Sequence, residues 1–315
     1  MAAELQDRPS REKHSLSGAE VIREDPRKAK AKVSRGPVRR KRGIRETDAT
    51  ADTRAEKMTG DKLLKTAVKA AKEAGKIHLK YFRKLKGYGF KEYVTNIVTK
   101  ADVESEKVIK DIIRVQFPEH GFLAEESGEE NITGDYRWII DPLDGTVNYA
   151  HGFPLFCSSV AVQKNGVTVA GAVYAACIGE LFTAVKGRGA FLNNKRLAVS
   201  SESALNKSLI GTGFPYSIYL RQGKQFDWFK KIASTGPVRR GGAAALDLCY
   251  VAAGVFAGFF EQGLKPWDTA AGALLVEESG GKLSDYSGGK FDIYGNETLA
   301  TNGRIHAELI RKLSK

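Results

Sequence analysis

Residues 138–152, WIIDPLDGTVNYAHG, run an apolar segment directly into two aspartates, Asp141 and Asp144, followed at once by Gly145 and Thr146. Such a pattern is a strand that delivers acids at its end. Pro142 has no N–H, so the spacing predicts that the strand stops there and that a fixed turn aims Asp141 and Asp144 into one space. The Leu143 carbonyl then becomes available as a further oxygen. A hard dication takes oxygen ligands at about 2.0–2.6 Å and needs carboxylates gathered on a rigid element. Residues 145–148 are expected to enter a helix, whose first turn carries unpaired N–H groups that can hold an anion beside the cations. A DPxDG string alone serves equally well as an Asx-stabilised junction with solvated carboxylates.

Two further segments bear on that choice. A short apolar run, 121–124, delivers the adjacent acids Glu125 and Glu126. Adjacent acids also occur at solvated helix starts. Downstream, residues 261–281 read EQGLKPWDTAAGALLVEESGG, in which Pro266 and Trp267 set Asp268 at the start of an apolar helix. Asp268 could be a helix cap there, with Ala270, Ala271, Leu274 and Leu275 as the buried face.

Together these segments resemble the inositol monophosphatase family, the lithium-sensitive, magnesium-dependent sugar phosphatases. The resemblance spans residues 58–315 and rests on AEES at 124–127, DPLDGTVN at 141–148 and WDTAAG at 267–272, supported by GFP at 152–154 and GGAAALDL at 241–248. It implies that Glu125, Asp141, the Leu143 carbonyl, Asp144 and Asp268 bind two or three Mg2+ ions, and that Thr146 and Glu125 position the attacking water. Asp102 takes a supporting catalytic place near the third metal. Substrate contacts are implied at Asp144, Gly145, Thr146, Ala244, Glu261, Asp268 and Lys91. Within KEYVTNIVTKAD, 91–102, Asn96 stands where relatives usually carry an aspartate, and Ala243 stands where many have Ser or Thr. Lys265 falls in a loop that varies with substrate and is equally a solvated lysine.

The chemistry agrees with that implication. Hydrolysis of a phosphate ester needs a neutralised phosphoryl group, an activated water and a stabilised leaving oxygen, all of which divalent cations supply. No His or Cys nucleophile is required, and the five histidines show no HxxxH spacing. The expected activity is hydrolysis of a small polyol or sugar phosphate, with inositol 1-phosphate first and fructose 1,6-bisphosphate, histidinol phosphate or a nucleotide as alternatives. A regulatory protein that binds RNA or the transcription machinery is the alternative from another class. The resemblance also implies lithium inhibition and a homodimer.

Residues 1–57 differ in composition, with 16 Lys plus Arg against 10 Asp plus Glu and no aromatic residue. They carry six of the thirteen excess positive charges of the chain. Such a segment buries too little apolar surface to offset its ordering entropy, so a disordered extension is expected. Its cluster VRRKRGIR, 38–45, could meet phosphates without sequence preference, but no aromatic residue interleaves for base stacking. Met58 stands at the edge of the family-like region and is a candidate initiator. No run of about 18 apolar residues and no signal-peptide core occurs, so a cytoplasmic protein is expected. Cys157, Cys177 and Cys249 lie in apolar context, as reduced buried thiols do.

Helical period over 61–82 and 103–117 predicts two opening helices. Strand-like runs at 156–163, 167–176 and 181–185, separated by Asn165-Gly166 and Ile178-Gly179, predict an antiparallel sheet. Further on come a strand at 209–212, helices at 219–232 and 244–253, a strand at 255–260 and a helix after Asp268. The fold class is α+β, and the resemblance implies a five-layer αβαβα sandwich with halves 58–200 and 201–315 meeting at the metal site. Trp138 and Trp267 are expected in the core, His151 in a loop, and Gly187 to Gly189 in a turn.

Overall fold

The computed structural model describes residues 46–85, 87–91, 96–131, 133–219 and 223–314, with side chains from residue 59 onward apart from that of Tyr219. Residues 1–45 lie outside the described residues, and with them most of the expected extension and its basic cluster. Helix α1 (Glu46–Tyr81) starts well ahead of the span its apolar period marks, so the expected boundary at residue 57 falls within one helix. A hairpin, β1 (Gly89–Phe90) with β2 (Ile97–Val98), leads into α2 (Lys100–Gln116). This helix opens with a capping box: the Asp102 carboxylate accepts from the Thr99 N–H at 2.7 Å, and Thr99 Oγ1 accepts from the Ala101 N–H at 3.1 Å.

The first sheet takes β3 (Gly121–Ala124), β4 (Gly128–Glu130) and β5 (Tyr136–Asp144). After α3 (Thr146–Ala150) it continues with β6 (Cys157–Lys164), β7 (Val167–Ala175), β8 (Glu180–Val185), β9 (Ala190–Leu192) and β10 (Lys195–Arg196). Its order is β10-β9-β8-β7-β6-β5-β3-β4, antiparallel apart from the β3–β5 pair. The β6–β7 turn places Asn165 and Gly166 at φ 49° and 78°, the conformation for which an Asn-Gly pair is suited.

One expectation fails here. Strand β5 does not stop at Pro142 but runs to Asp144. Pro142 interrupts the ladder locally, the register with β6 shifts between Asp141 and Asp144, and pairing resumes at Asp144 opposite Cys157. A proline removes one donor without forcing the backbone out of an extended path, so a partner strand can resume pairing beyond it.

The second sheet collects β11 (Ile210–Thr212), β12 (Val238–Arg239), β13 (Gly258–Gln262), β14 (Lys282–Ser284) and β15 (Glu297–Thr301) in the order β12-β11-β13-β15-β14. Its helices are α4 (Gln225–Ala233), α5 (Ala244–Ala252), α6 (Pro266–Glu278) and α7 (His306–Leu313). The helix expected over 219–232 begins only at Gln225, while residues 216–219 form a 3-10 turn.

Three apolar clusters order the layers. One joins α1 and α2 to one face of the first sheet through Leu63, Ile109, Trp138 and Val160. A second places α5 and α6 between the sheets, with Leu248, Leu274 and Leu275 against Val173, Phe182 and Phe259. The third covers the far face of the second sheet with α4 and α7 through Trp228, Ile232 and Leu309. The result is the five-layer αβαβα sandwich.

Helices α5 and α6 approach closely at Gly272, where an added Cβ would lie 2.6 Å from Leu248 Cβ. Overpacking of this kind typically costs about 1–3 kcal/mol. Gly272→Ala should lower the denaturant midpoint accordingly; an unchanged midpoint would show that the two helices part without cost.

Candidate active site

Four acids arrive at one cavity from three places in the chain. Glu125 follows the end of β3, Asp141 and Asp144 lie on β5, and Asp268 lies in the first turn of α6. All line a cavity of about 240 Å³, together with Lys91, Leu143, Gly145, Thr146, Ala244 and Glu261. Oxygens of Asp141, Asp144 and Asp268 come within 4.8 Å of one another. Glu125 stands outside that trio, yet its charge is felt at Asp141.

Local bonds hold each carboxylate by one oxygen. Asp141 Oδ1 accepts from the Leu143 N–H at 2.9 Å, which folds the Asp-Pro-Leu corner onto its own side chain. Asp144 Oδ2 accepts from the Ala245 N–H at 2.8 Å, so the start of α5 points its free amides at this acid. Ala244 therefore lines the cavity while its helix start is engaged with Asp144. Asp268 is the third residue of α6 rather than its cap, and its Oδ2 accepts from the Lys265 N–H at 2.7 Å. Gly145 takes φ 87° at the start of α3, where a Cβ would meet the Leu155 carbonyl.

Electrostatically the site is unbalanced. Burial, and then the charges of Glu125, Asp144 and Asp268, push the Asp141 carboxyl well above its ordinary range. Burial likewise raises Asp144 to about 7, against the pull of the α5 amides. Asp268 is raised well above its ordinary value by burial, then by Asp144 and Glu125. Anionic oxygens packed this densely in a dry place fit a hard cation, which needs charge and several oxygens at once.

Asp102 lies wholly buried beneath this cluster, and burial raises it to about 6 despite the Thr99 hydrogen bonds. Thr146 Oγ1 is 3.1 Å from Asp102 Oδ1 and 2.9 Å from the Leu143 carbonyl oxygen. Lys91 Nζ bridges Glu125 Oε1 at 2.8 Å and Glu126 Oε1 at 2.5 Å. Burial works against its charge, but the two carboxylates hold the ammonium above its ordinary range.

Further cavity residues are not singled out from the sequence, Asn148 inside the DPLDGTVN motif among them. Asn148 donates to the carbonyls of Leu155 and Gly241 and so ties α3 to the loop before α5. Arg240, Phe214 and Tyr216 also line the cavity. Burial, then Glu125, Asp268, Asp144 and Asp141, raise the Tyr216 phenol, which marks it as facing the acids. The one available signal was the Gly-Phe-Pro repeat at 213–215, which copies 152–154. Trp138 is buried in the core, Trp267 forms part of the cavity wall, and His151 is exposed. Cys157 and Cys249 are buried free thiols as expected, whereas Cys177 is only half-buried.

The sequence model of the inositol monophosphatase family matches residues 60–315. The chain belongs to the inositol monophosphatase family. Among its relatives, the Nus factor SuhB of Pasteurella multocida is 40% identical over 260 residues, covering 80% of this chain and 95% of that protein. The structure of inositol monophosphatase from Anabaena (Nostoc) sp. PCC 7120 matches with a TM-score of 0.73 and 42% identity, over 80% of this chain and 94% of that one. The extragenic suppressor protein suhB from Bartonella henselae matches with a TM-score of 0.74 and 37% identity, over 80% and 98%. This is a family of phosphatases, and its fold agrees with the layers described above.

Proposed function

We propose that this protein is a magnesium-dependent phosphomonoesterase of small polyol or sugar phosphates, with inositol 1-phosphate as its first substrate. The convergence of Asp141, Asp144 and Asp268 within 4.8 Å carries this reading. The name of the Anabaena neighbour supports the choice of inositol phosphate.

In this reading Glu125, Asp141, the Leu143 carbonyl, Asp144 and Asp268 hold two or three Mg2+ ions. Bound Mg2+ supplies Lewis-acid neutralisation of the phosphoryl oxygens and a water acidic enough to attack. The protein's own part is orientation and proton handling. The Thr146 hydroxyl has one proton and two acceptors in reach. When that proton goes to Asp102, the Leu143 carbonyl keeps its lone pairs for a cation and the Thr146 oxygen can accept from the attacking water. Asp102 Oδ1 lies 3.1 Å from the Thr146 hydroxyl and is placed to accept that proton as a hydrogen bond. Glu125 orients the same water from the other side. Glu261, Lys91 and the α5 start at Ala244 face the space left for the alcohol part of the substrate.

The catalytic domain in this reading is 58–315, preceded by the basic extension. No described helix is long and apolar enough to cross a membrane, and a cytoplasmic homodimer is proposed on family grounds. Lithium inhibition follows if a small monovalent ion occupies a magnesium place without its charge. Phosphate release from inositol 1-phosphate, fructose 1,6-bisphosphate, histidinol phosphate and nucleoside monophosphates, with and without Mg2+, tests the assignment. Turnover that needs Mg2+ and is highest on the inositol ester is expected; no release from any ester would end the reading. A second reading, contact with the transcription machinery, rests on the name Nus factor SuhB given to the Pasteurella relative.

A further inference from the structure

Helix α2 turns a polar face inward. Asp102, Ser105, Glu106 and Lys110 are each no more than 5% exposed. Asp102 serves the helix start and Thr146, but Glu106 and Lys110 lie farther along and touch nothing in the cavity. Burying such an ion pair costs desolvation of both partners, and an apolar pair of similar volume is often as stable or more so. Stability alone is thus a poor reason for its presence.

Its contacts point to the turn that follows β3. Glu106 Oε2 accepts from the backbone N–H of Glu126 at 2.9 Å. Lys110 Nζ lies 3.4 Å from Glu106 Oε1 and 2.7 Å from Glu130 Oε1, and it also donates to Ser127 Oγ. The preceding amide, that of Glu125, donates to the Ile140 carbonyl at 3.1 Å. Two successive amides are therefore anchored, one to the strand that carries Asp141 and the other to the helix that carries Asp102. The turn is also closed by pairing of Ala124 with Gly128. Glu125 thus projects from a segment anchored at its own amide and at the next one.

We propose that Glu106 and Lys110 are positioning residues that preset the Glu125 backbone for cation binding. They touch neither cation nor substrate and act through the 125–127 turn. The proposal rests on the phosphatase reading only in taking Glu125 as a cation ligand. Loss of a partner that orients a metal ligand typically costs about 10–100-fold in metal affinity.

Calorimetric titration of the full-length protein with Mn2+ tests it. Glu106→Ala should weaken Mn2+ binding by about tenfold or more, whereas Glu106→Gln, which keeps an oxygen for the Glu126 amide, should retain most of the affinity. In steady-state assays Glu106→Ala should raise the Mg2+ concentration needed for half-maximal rate and leave the ester KM unchanged. A lower melting temperature with wild-type Mn2+ affinity would reveal a merely structural role and overturn the proposal. If Glu106→Ala fails to fold, Lys110→Met decides, since it keeps the aliphatic stem and frees Glu106 from its cation; unchanged Mn2+ affinity there overturns the proposal equally. Wild-type protein that binds no Mn2+ would sink the phosphatase reading, and this inference with it.

Discussion

Asp141→Asn should abolish phosphate release, by about a thousandfold or more, while the protein stays folded. The amide keeps the oxygen that accepts from the Leu143 N–H at 2.9 Å, so the corner at Pro142 survives. What disappears is one negative charge from a cluster that has to hold dications. Lewis-acid stabilisation of a phosphoryl transition state amounts to several kcal/mol, and each 1.36 kcal/mol is tenfold in rate. Because burial and three like charges already disfavour the Asp141 anion, the cation-free variant should melt no lower than wild type. Retention of wild-type turnover by the folded variant would remove Asp141 from the mechanism. Any contact with transcription components that survives the change belongs to another surface.

Magnesium should raise the melting temperature, and by more at about pH 8 than at about pH 5. Folding raises Asp102 to about 6 and Asp144 to about 7 from an ordinary 3.8, and raises Asp141 and Asp268 well above it. Between the ordinary and the raised values the folded chain holds more protons than the unfolded one. The stability these acids contribute to the cation-free protein is therefore greatest below the ordinary value and is lost as pH climbs through the raised ones, to about 7 for Asp144. Cations take over from the missing protons. At a hundred times Kd, binding contributes about 2.7 kcal/mol, and for a domain of this size about 2–4 °C accompanies each kcal/mol, so a shift of roughly 5–10 °C is expected at the higher pH. Scanning calorimetry measures it directly; a shift equal at both pH values would mean that the acids are not the binding site.

Local chemistry made much of this molecule legible. The Asn165-Gly166 hairpin, the apolar stripe of α1 and the acids of β5 follow from neighbours in the chain. Where partners are remote, local reasoning fails. The end of β5 depends on Cys157 across the ladder, which no reading of Pro142 can supply. On α2 the apolar period selects Val108, Ile109, Ile112 and Ile113, yet Val108 and Ile112 are only half-buried while Glu106 and Lys110 are inside. Charged residues on a helix are ordinarily its wet side. Only the packed turn beyond β3 makes them the dry one. The cavity wall formed by Arg240 and Tyr216 was invisible for the same reason, because neither residue belongs to a spacing that marks chemistry.

Asp144 ends β5 of the first sheet, and its side chain accepts a hydrogen bond from the opening of α5, at Ala245, about a hundred positions later. Nearby, Ser159 of β6 donates to the Trp267 carbonyl at 3.2 Å, directly ahead of Asp268. The seam between the two sheets is thus stitched by one of the acids that would do the chemistry and by the residue directly ahead of another. A chimera splicing the amino-terminal half of one relative to the carboxy-terminal half of another has to match this stitch, or its parts will fold without meeting.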